Sequence, residues 1–143
     1  MKTLREIKRG GVIFALQRTA SVAEAAQMME THNIGIVAIL EDERLVGVLS
    51  ERDVVRRVLN HGLDPLRTPV GEAMTTDIIV ATPDEDYQAA MRKMDHANIR
   101  HLPVVEGDRM VSMLSIRDLL RVDLARLTEE IRYLHEYIYQ VPH

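Results

Sequence analysis

Two short stretches of the sequence decide the fold: GVLSERD at residues 47–53 and SMLSIRD at residues 112–118. Each is an apolar run followed by Ser, any residue, Arg and Asp. The two lie 65 residues apart, and the same shift aligns the chain on itself without a gap. Between residues 17–56 and 82–121, 12 of the 40 aligned pairs are identical, whereas chance would give roughly two or three. The chain is therefore predicted to be a tandem repeat.

The apolar periodicity predicts the same order of elements, β-α-β-β-α, in both repeats. In the first repeat we expect strands at 12–16, 36–40 and 45–49, with a helix after Ser21. In the second repeat we expect strands at 78–81, 102–105 and 109–114, with a helix starting at Pro83-Asp84. A second helix of each repeat is expected to begin at Ser50 or Ser115.

These elements define the expected domain organisation. The first repeat is expected to occupy residues 8–60 and the second residues 75–122, separated by a linker at 61–74 that contains structure-breaking Gly and Pro. A C-terminal amphipathic helix is expected at 123–143, ended by Pro142. The predicted fold class is α/β, of the α+β kind: two β-α-β-β-α repeats packed as a pseudo-twofold module with a long C-terminal helix.

The composition narrows the classes of function. The 143 residues include no Cys, no Trp and one Phe, and the net charge is −4. Thiol catalysis and thiolate metal sites are excluded, and nothing indicates another metal site. A basic face with aromatic side chains, typical of nucleic-acid binding, is not evident. No apolar run approaches the length of a signal-peptide core or a membrane span, so we expect a cytoplasmic protein without nucleic-acid or membrane partners.

The Ser-x-x-Asp phrase has two compatible interpretations. A Ser three residues before an acid is a common helix N-cap with a capping-box partner. The phrase nevertheless occurs twice, at helix starts that favour anions, with Arg52 and Arg117 between the Ser and the Asp. A hydroxyl, a cation and a carboxylate together suit a nucleotide, because a carboxylate can accept two hydrogen bonds from a ribose diol.

The chain resembles a tandem pair of CBS (cystathionine-β-synthase-type) domains, and is similar to stand-alone bacterial CBS-pair proteins of signalling type. The resemblance covers about residues 10–122. Its motifs are NIGIVAILEDERLVGVLSERDVV at 33–55, MTTDIIVATPD at 74–84 and NIRHLPVVEGDRMVSMLSIRDLL at 98–120. Each motif is weak alone, but their doubling at constant spacing is specific. The resemblance implies a module with two clefts for adenosine compounds such as AMP, ADP, ATP, NAD or S-adenosylmethionine, and a homodimer of modules.

The resemblance also implies which residues bind the ligand. Asp53 and Asp118 would hold the ribose, and Ser50 and Ser115 would face the ribose or phosphate. Arg100 and His101 would contact the phosphate, and Leu102 and Pro103 follow them in the same strand. The walls of the adenine pockets would come from the opening strands, with Thr76, Ile78 and Ile79 in one repeat and Val12, Ile13 and Phe14 in the other. A solvated helix face is the expected role of Arg56 and Arg57.

The two copies differ at their candidate sites. Gly47 corresponds to Ser112, and the family pattern favours Gly at this position. The segment at 35–38, GIVA, corresponds to RHLP at 100–103, so the first copy lacks the basic pair and the Pro. At least one cleft is expected to bind ligand, with unequal affinity in the two.

The C-terminal helix is predicted to carry an apolar seam. Its members are spaced 4, 3, 4, 3 and 4 residues apart, which is a heptad pattern: Leu120, Leu124, Leu127, Ile131, Leu134 and Ile138. The helix could lie on its own module or pack on a partner subunit, and we favour the partner.

Taken together, these features predict a regulatory, non-catalytic sensor of an adenosine nucleotide, with no catalytic cofactor. It would signal through a ligand-dependent change in a dimer and act on an effector protein. The alternative is a structural or interaction adaptor dimer whose clefts are empty or vestigial. No nucleophile elbow, P-loop, metal set or acid pair points to an enzyme.

Overall fold

One mixed five-stranded sheet forms the frame of the molecule, in a computed structural model that describes residues 2–7 and 13–140. The strands are β1 (Ala15–Gln17), β2 (Ile36–Glu41), β3 (Arg44–Ser50), β4 (His101–Glu106) and β5 (Arg109–Ser115), in the spatial order β1-β2-β3-β5-β4. Strand β1 runs parallel to β2, and the other neighbours are antiparallel. The two repeats meet within the sheet where β3 pairs with β5 at Arg44 and Arg109.

The helices comprise the predicted ones and two short helices that the sequence did not predict, at Leu4–Ile7 and Val70–Ala73. In chain order the helices are α1 (Leu4–Ile7), α2 (Val22–His32), α3 (Glu51–Asp53), α4 (Val70–Ala73), α5 (Tyr87–Ala97) and α6 (Ile116–Gln140). Helix α3 continues as a π-helix over Val54–Leu59. The predicted second helix of repeat two and the C-terminal helix are one uninterrupted element, α6. These elements confirm the predicted fold class.

The repeat is reproduced in detail by the backbone. The β2–β3 and β4–β5 hairpins have the same register, including an irregularity after Ile39 in one and after Val104 in the other. Helices α2 and α5 both end at a left-handed Asn, Asn33 with φ 52° and Asn98 with φ 55°. Asn tolerates this conformation better than most residues, which explains why the Asn-Ile pair occurs in both copies.

Each repeat has its own apolar core at equivalent positions. Buried side chains of the first core include Ala25, Met29 and Leu49, and those of the second include their counterparts Ala90, Met94 and Leu114. The recurring methionines Met29 and Met94 are therefore core residues, as their helical spacing indicates.

The opening segments differ from the prediction. Residues 78–80 form no strand, and the paired residue of this segment is Ala81, bridged in parallel to Val104. The physical reason is competition for the backbone: Lys93 Nζ donates to the Val80 carbonyl at 3.1 Å, and the Ile78 amide turns back to the Thr76 carbonyl at 3.0 Å. In the first repeat the strand is Ala15–Gln17, and the described residues Ile13 and Phe14 of the predicted range 12–16 precede it.

Helix α5 begins at Tyr87 rather than at Pro83-Asp84, with Asp86 as N-cap. The carbonyls of Pro83 and Glu85 instead accept hydrogen bonds from the Arg5 and Leu4 amides of α1, at 2.8 and 3.0 Å. The N-terminal segment thus packs on the second repeat and delays the helix start. Val12 and Pro142, which carried predictions, lie outside the described residues.

Candidate functional site

Both Ser-x-x-Asp phrases lie where a strand passes directly into a helix, and both form a capping box. In the first repeat Ser50 Oγ accepts from the Asp53 amide at 3.2 Å, and Asp53 Oδ2 accepts from the Ser50 amide at 3.0 Å. In the second repeat the same two bonds join Ser115 and Asp118, at 3.2 and 2.9 Å. The helix-capping interpretation is therefore confirmed in both copies. The box also places each carboxylate at the positive end of its helix.

The first junction is in contact with the opening segment of the other repeat. Thr75 Oγ1 donates to Asp53 Oδ1 at 3.0 Å, and the Thr75 and Val48 backbones pair at 2.8 and 3.0 Å. Asp53 is only 9% exposed. Both of its carboxylate oxygens accept hydrogen bonds, one from the Ser50 amide and one from the Thr75 hydroxyl. Thr76 and Ile78 follow directly along the chain, which brings the predicted adenine-lining segment of repeat two beside the Ser50–Asp53 phrase of repeat one.

Gly47 makes this close approach possible. A Cβ at Gly47 would lie 2.5 Å from Met74 Sδ and 2.9 Å from the Thr75 carbonyl oxygen. The family-typical glycine before Ser-x-x-Asp therefore has a packing role here. In the second copy its counterpart Ser112 is buried and lines a cavity of about 630 Å³.

Arg57 is a structural residue of the first site that the sequence interpretation missed. Its Nη1 donates to the carbonyls of Ala73 and Met74 at 3.2 and 2.6 Å, and its Nε lies 3.9 Å from Asp53 Oδ1. Arg57 lies on an exposed helix face, as predicted, and its guanidinium in addition holds the carbonyls at the end of the linker. The signal available in the sequence was the four-residue spacing of Asp53 and Arg57. Arg52 and Arg56 are exposed.

The second junction brings the predicted basic pair beside Ser115 and Asp118. His101 is opposite Ser115 in the β4–β5 register, and the Arg100 carbonyl accepts from the Ile116 amide at 2.8 Å. Arg100 and Arg117 are exposed and His101 is half-buried.

Leu102 and Pro103 are buried in β4. The Leu102 side chain belongs to the core of the second repeat, and the Pro103 carbonyl accepts from the Ala81 amide at 2.9 Å. The side chain of Leu102 therefore faces the core, so a contact between this residue and a ligand would have to use its backbone.

The two junctions carry different charge. In the first, the Glu51 amide donates to the Gly35 carbonyl at 3.0 Å, and the Glu51 carboxylate lies 3.6–3.8 Å from where a Gly35 Cβ would be. In the second, Arg100 and Ile116 occupy these positions. A negative group thus stands at the first junction where the second has a cation and an apolar side chain. At these two positions the second junction is therefore the more positive of the two.

The opening segment of repeat one approaches the second repeat. Ile13 lines the 630 Å³ cavity together with Val111 and Ser112 of β5. Its neighbour Phe14 is half-buried against the first core, with its ring centroid 4.4 Å from that of His32. Each opening segment thus approaches the other repeat: Thr75 pairs with Val48 of β3, and Ile13 lines the cavity beside β5. The cavity of about 630 Å³ has the volume of a typical small-molecule binding site.

Lys93 of helix α5 holds the opening segment of the second repeat by a hydrogen bond to Val80. Ile79 is 38% exposed and Ile78 half-buried. Lys93, which holds the Val80 carbonyl, also pairs with Glu85 at 2.7 Å, and Glu85 accepts from the Thr82 amide at 2.6 Å. Burial acts to raise the pKa of Glu85, but the hydrogen bond from Lys93 and the bond from Thr82 outweigh it and hold the pKa below its usual range.

A polar cluster joins α5 to α6. The buried Tyr87 donates its hydroxyl to Asp123 at 2.9 Å, and Arg126 bonds to both groups at 3.1–3.2 Å. The hydrogen bond from Tyr87 is the largest influence that lowers the pKa of Asp123, and Arg126 adds to it. These bonds fix the direction in which α6 leaves the module.

Two absences concern the described residues alone. Within residues 2–7 and 13–140, no group of three or more His, Asp or Glu side chains is arranged to hold a metal ion. No helix in the same ranges is long and apolar enough to cross a membrane.

Comparison with known proteins identifies the family to which the chain belongs. The family model of the CBS domain matches residues 11–60 and 70–125. The chain therefore belongs to the CBS-domain family, as a pair of such domains. The mitochondrial CBS domain-containing protein CBSX3 of Arabidopsis thaliana is 33% identical over 123 residues, which are 82% of this chain. The chain spans only 60% of the length of that relative.

Solved structures agree with this assignment. A putative signal-transduction protein with CBS domains from Burkholderia ambifaria superposes with a TM-score of 0.79 at 27% identity, over 87% of this chain and 95% of that chain. The CBS domain protein PAE2072 from Pyrobaculum aerophilum, solved in complex with AMP, superposes with a TM-score of 0.75 at 30% identity. That match covers 90% of this chain and 99% of the other.

Proposed function

We propose that the protein is a regulatory, non-catalytic sensor of an adenosine nucleotide. The observation that carries the proposal is the Ser-x-x-Asp capping box, built twice at a strand-to-helix junction. At the first of these junctions, the opening segment of the other repeat contacts the carboxylate. A ribose diol can hydrogen-bond to a carboxylate held in this way, and a phosphate can face the helix N-terminus. The AMP complex of the Pyrobaculum aerophilum protein supports the choice of an adenosine ligand.

The second junction is the proposed high-affinity site. Asp118 would hold the ribose, with Ser115 beside it, and Arg100 and His101 would contact phosphate. The carboxylate of Glu51 stands at the first junction where the second has Arg100 and Ile116. A negative group disfavours phosphate, so we propose weaker binding at the first cleft.

Signalling would then follow from the ligand's differential affinity for two arrangements of the module. We propose that the module works as a homodimer that acts on an effector protein. A cytoplasmic location and the choice among AMP, ADP, ATP and NAD stay predictions from the sequence.

The test is calorimetric titration of the purified chain with AMP, ADP, ATP, NAD, S-adenosylmethionine and GMP. We expect binding of at least one adenosine compound and none of GMP. Asp118→Asn keeps an acceptor for the capping bond but loses the charge, and we expect it to weaken binding at least tenfold. Asp53→Asn is expected to change the tighter site by less than twofold.

Arg100→Ala, with the exposed Arg121→Ala of α6 as a matched control, separates a phosphate contact from a general charge effect. We expect Arg100→Ala alone to weaken nucleotide binding. If no adenosine compound binds, the sensor proposal fails and the adaptor with empty clefts takes its place. Turnover of any of these nucleotides would contradict the non-catalytic assignment.

A further inference from the structure

Helix α6 presents a continuous apolar seam that its own module does not cover in the described part of the chain. The six members of the predicted heptad are 41–67% exposed: Leu120, Leu124, Leu127, Ile131, Leu134 and Ile138. The side of α6 that faces the module is a different one, formed by the fully buried Leu119 and by the Tyr87–Asp123–Arg126 cluster. We propose that a second copy of this chain covers the seam, as a parallel, in-register two-stranded coiled coil.

The side chains of the seam favour two parallel helices. In heptad notation the a positions are Leu124, Ile131 and Ile138, and the d positions are Leu120, Leu127 and Leu134. β-Branched residues at a combined with Leu at d favour a parallel dimer over higher assemblies. Two of the three a positions are Ile and all three d positions are Leu, so the pattern favours a coiled coil of two helices.

The flanking residues favour the parallel orientation. In a parallel pair, Glu130 at a g position lies near the partner's His135 at an e position, an acceptor beside a donor. In an antiparallel pair centred on the seam, Glu130 would instead approach the partner's Glu130, so two carboxylates would meet. Within its own helix Glu130 accepts from Arg126 at 2.8 Å, which reduces this repulsion without reversing it.

The helix is already ordered where the seam begins. Leu119 anchors its first turns in the core of the second repeat, and Arg126 is fixed by Tyr87 and Asp123. A preformed helix loses less conformational entropy on association than a disordered segment does. A seam of this modest length can therefore support a dimer.

Disulfide trapping tests the orientation directly, because the chain contains no Cys. Leu134→Cys places a thiol at a d position, where parallel, in-register helices bring the two sulfurs within bonding reach. An antiparallel pair would set the same two residues roughly 15 Å apart along the helix axis. Glu129→Cys, on the same helix but at an f position, is the matched control.

We expect a covalent dimer of Leu134→Cys in a glutathione redox buffer, and no more than background cross-linking of Glu129→Cys. A failure of Leu134→Cys to cross-link overturns the proposal, and so does equal cross-linking of the two variants.

The second measurement is the dimer dissociation constant from sedimentation equilibrium. Ile131→Glu changes the seam, whereas Tyr133→Glu introduces the same charge at a c position of nearly equal exposure, 68% against 67%. We expect Ile131→Glu to raise the dissociation constant by more than about a hundredfold, since two buried side chains are lost per dimer, and Tyr133→Glu to change it by less than about threefold. A wild-type monomer at high protein concentration, or an Ile131→Glu variant that dimerises normally, overturns the proposal whether or not the protein binds nucleotides.

Discussion

Replacing Gly47 by Ala should destabilise the protein although the change adds only one methyl group. The new Cβ would lie 2.5 Å from Met74 Sδ and 2.9 Å from the Thr75 carbonyl oxygen. The Met74 side chain can rotate away, but the Thr75 backbone is held by two hydrogen bonds to Val48, at 2.8 and 3.0 Å. The segment must therefore move away from β3, and the contact between Thr75 and Asp53 must lengthen.

The magnitude follows from two opposing effects. Overpacking in a filled site costs about 1–3 kcal/mol, whereas replacing Gly by Ala stiffens the unfolded chain and returns about 0.4–1 kcal/mol. We expect a net loss of about 1–2 kcal/mol in the free energy of unfolding of Gly47→Ala. Gly35→Ala is the matched control, because its Cβ would meet its nearest atom, Glu51 Cδ, at 3.5 Å, an ordinary contact. This variant should be as stable as the wild type or slightly more stable.

Urea unfolding at one fixed protein concentration measures both variants, because the midpoint of a dimer depends on concentration. We expect a lower midpoint with an unchanged slope for Gly47→Ala. A Gly47→Ala midpoint at or above that of the wild type would refute the close-approach argument. Equal loss in Gly35→Ala would show that the effect is a general cost of losing glycine rather than a steric contact.

The remaining predictions concern two hydrogen-bonded carboxylates. Thr75→Val removes the donor to the buried Asp53 Oδ1 and should cost about 1–2 kcal/mol in urea unfolding, whereas Val at the exposed position Thr76 should cost less than about 0.5 kcal/mol. The pKa of Glu85 is lowered in the folded protein by its contacts with Lys93 and Thr82. This contribution to stability is therefore present above the ordinary Glu pKa of 4.5 and is lost as the pH falls through the lower folded value. Glu85→Gln should reduce the loss of stability between pH 7 and pH 3, and an unchanged difference between these two pH values would contradict this assignment.

Much of the fold was accessible from the sequence because the decisive signals are local. The Asn-Ile pair marks a left-handed helix end in both repeats, and Ser50 and Ser115 cap their helices as their spacing to Asp predicts. These features depend on residues within four positions of each other, so a single sequence contains them.

The features that the sequence did not predict are those that contacts between distant segments determine. Residues 78–80 have an apolar strand pattern, yet Lys93 from α5 takes the Val80 carbonyl. The role of Arg57 depends on the carbonyls of Ala73 and Met74, which lie 16 and 17 residues further along the chain. The hydrophobic periodicity of the sequence does not indicate such a contact. For the same reason the bond from Thr75 to Asp53 could not be anticipated, although the resemblance pointed to the neighbouring Thr76.

The continuity of α6 has a mechanical consequence. Its first turn contains Asp118 of the proposed nucleotide site, and its 25 residues extend about 37 Å. Because no break interrupts the helix, it acts as a lever arm. A tilt of about 5° at the cleft would displace the far end by roughly 3 Å over this length. A ligand that tilts the first turn of α6 against its contacts with Tyr87 would therefore produce a larger displacement at the distal end of the helix.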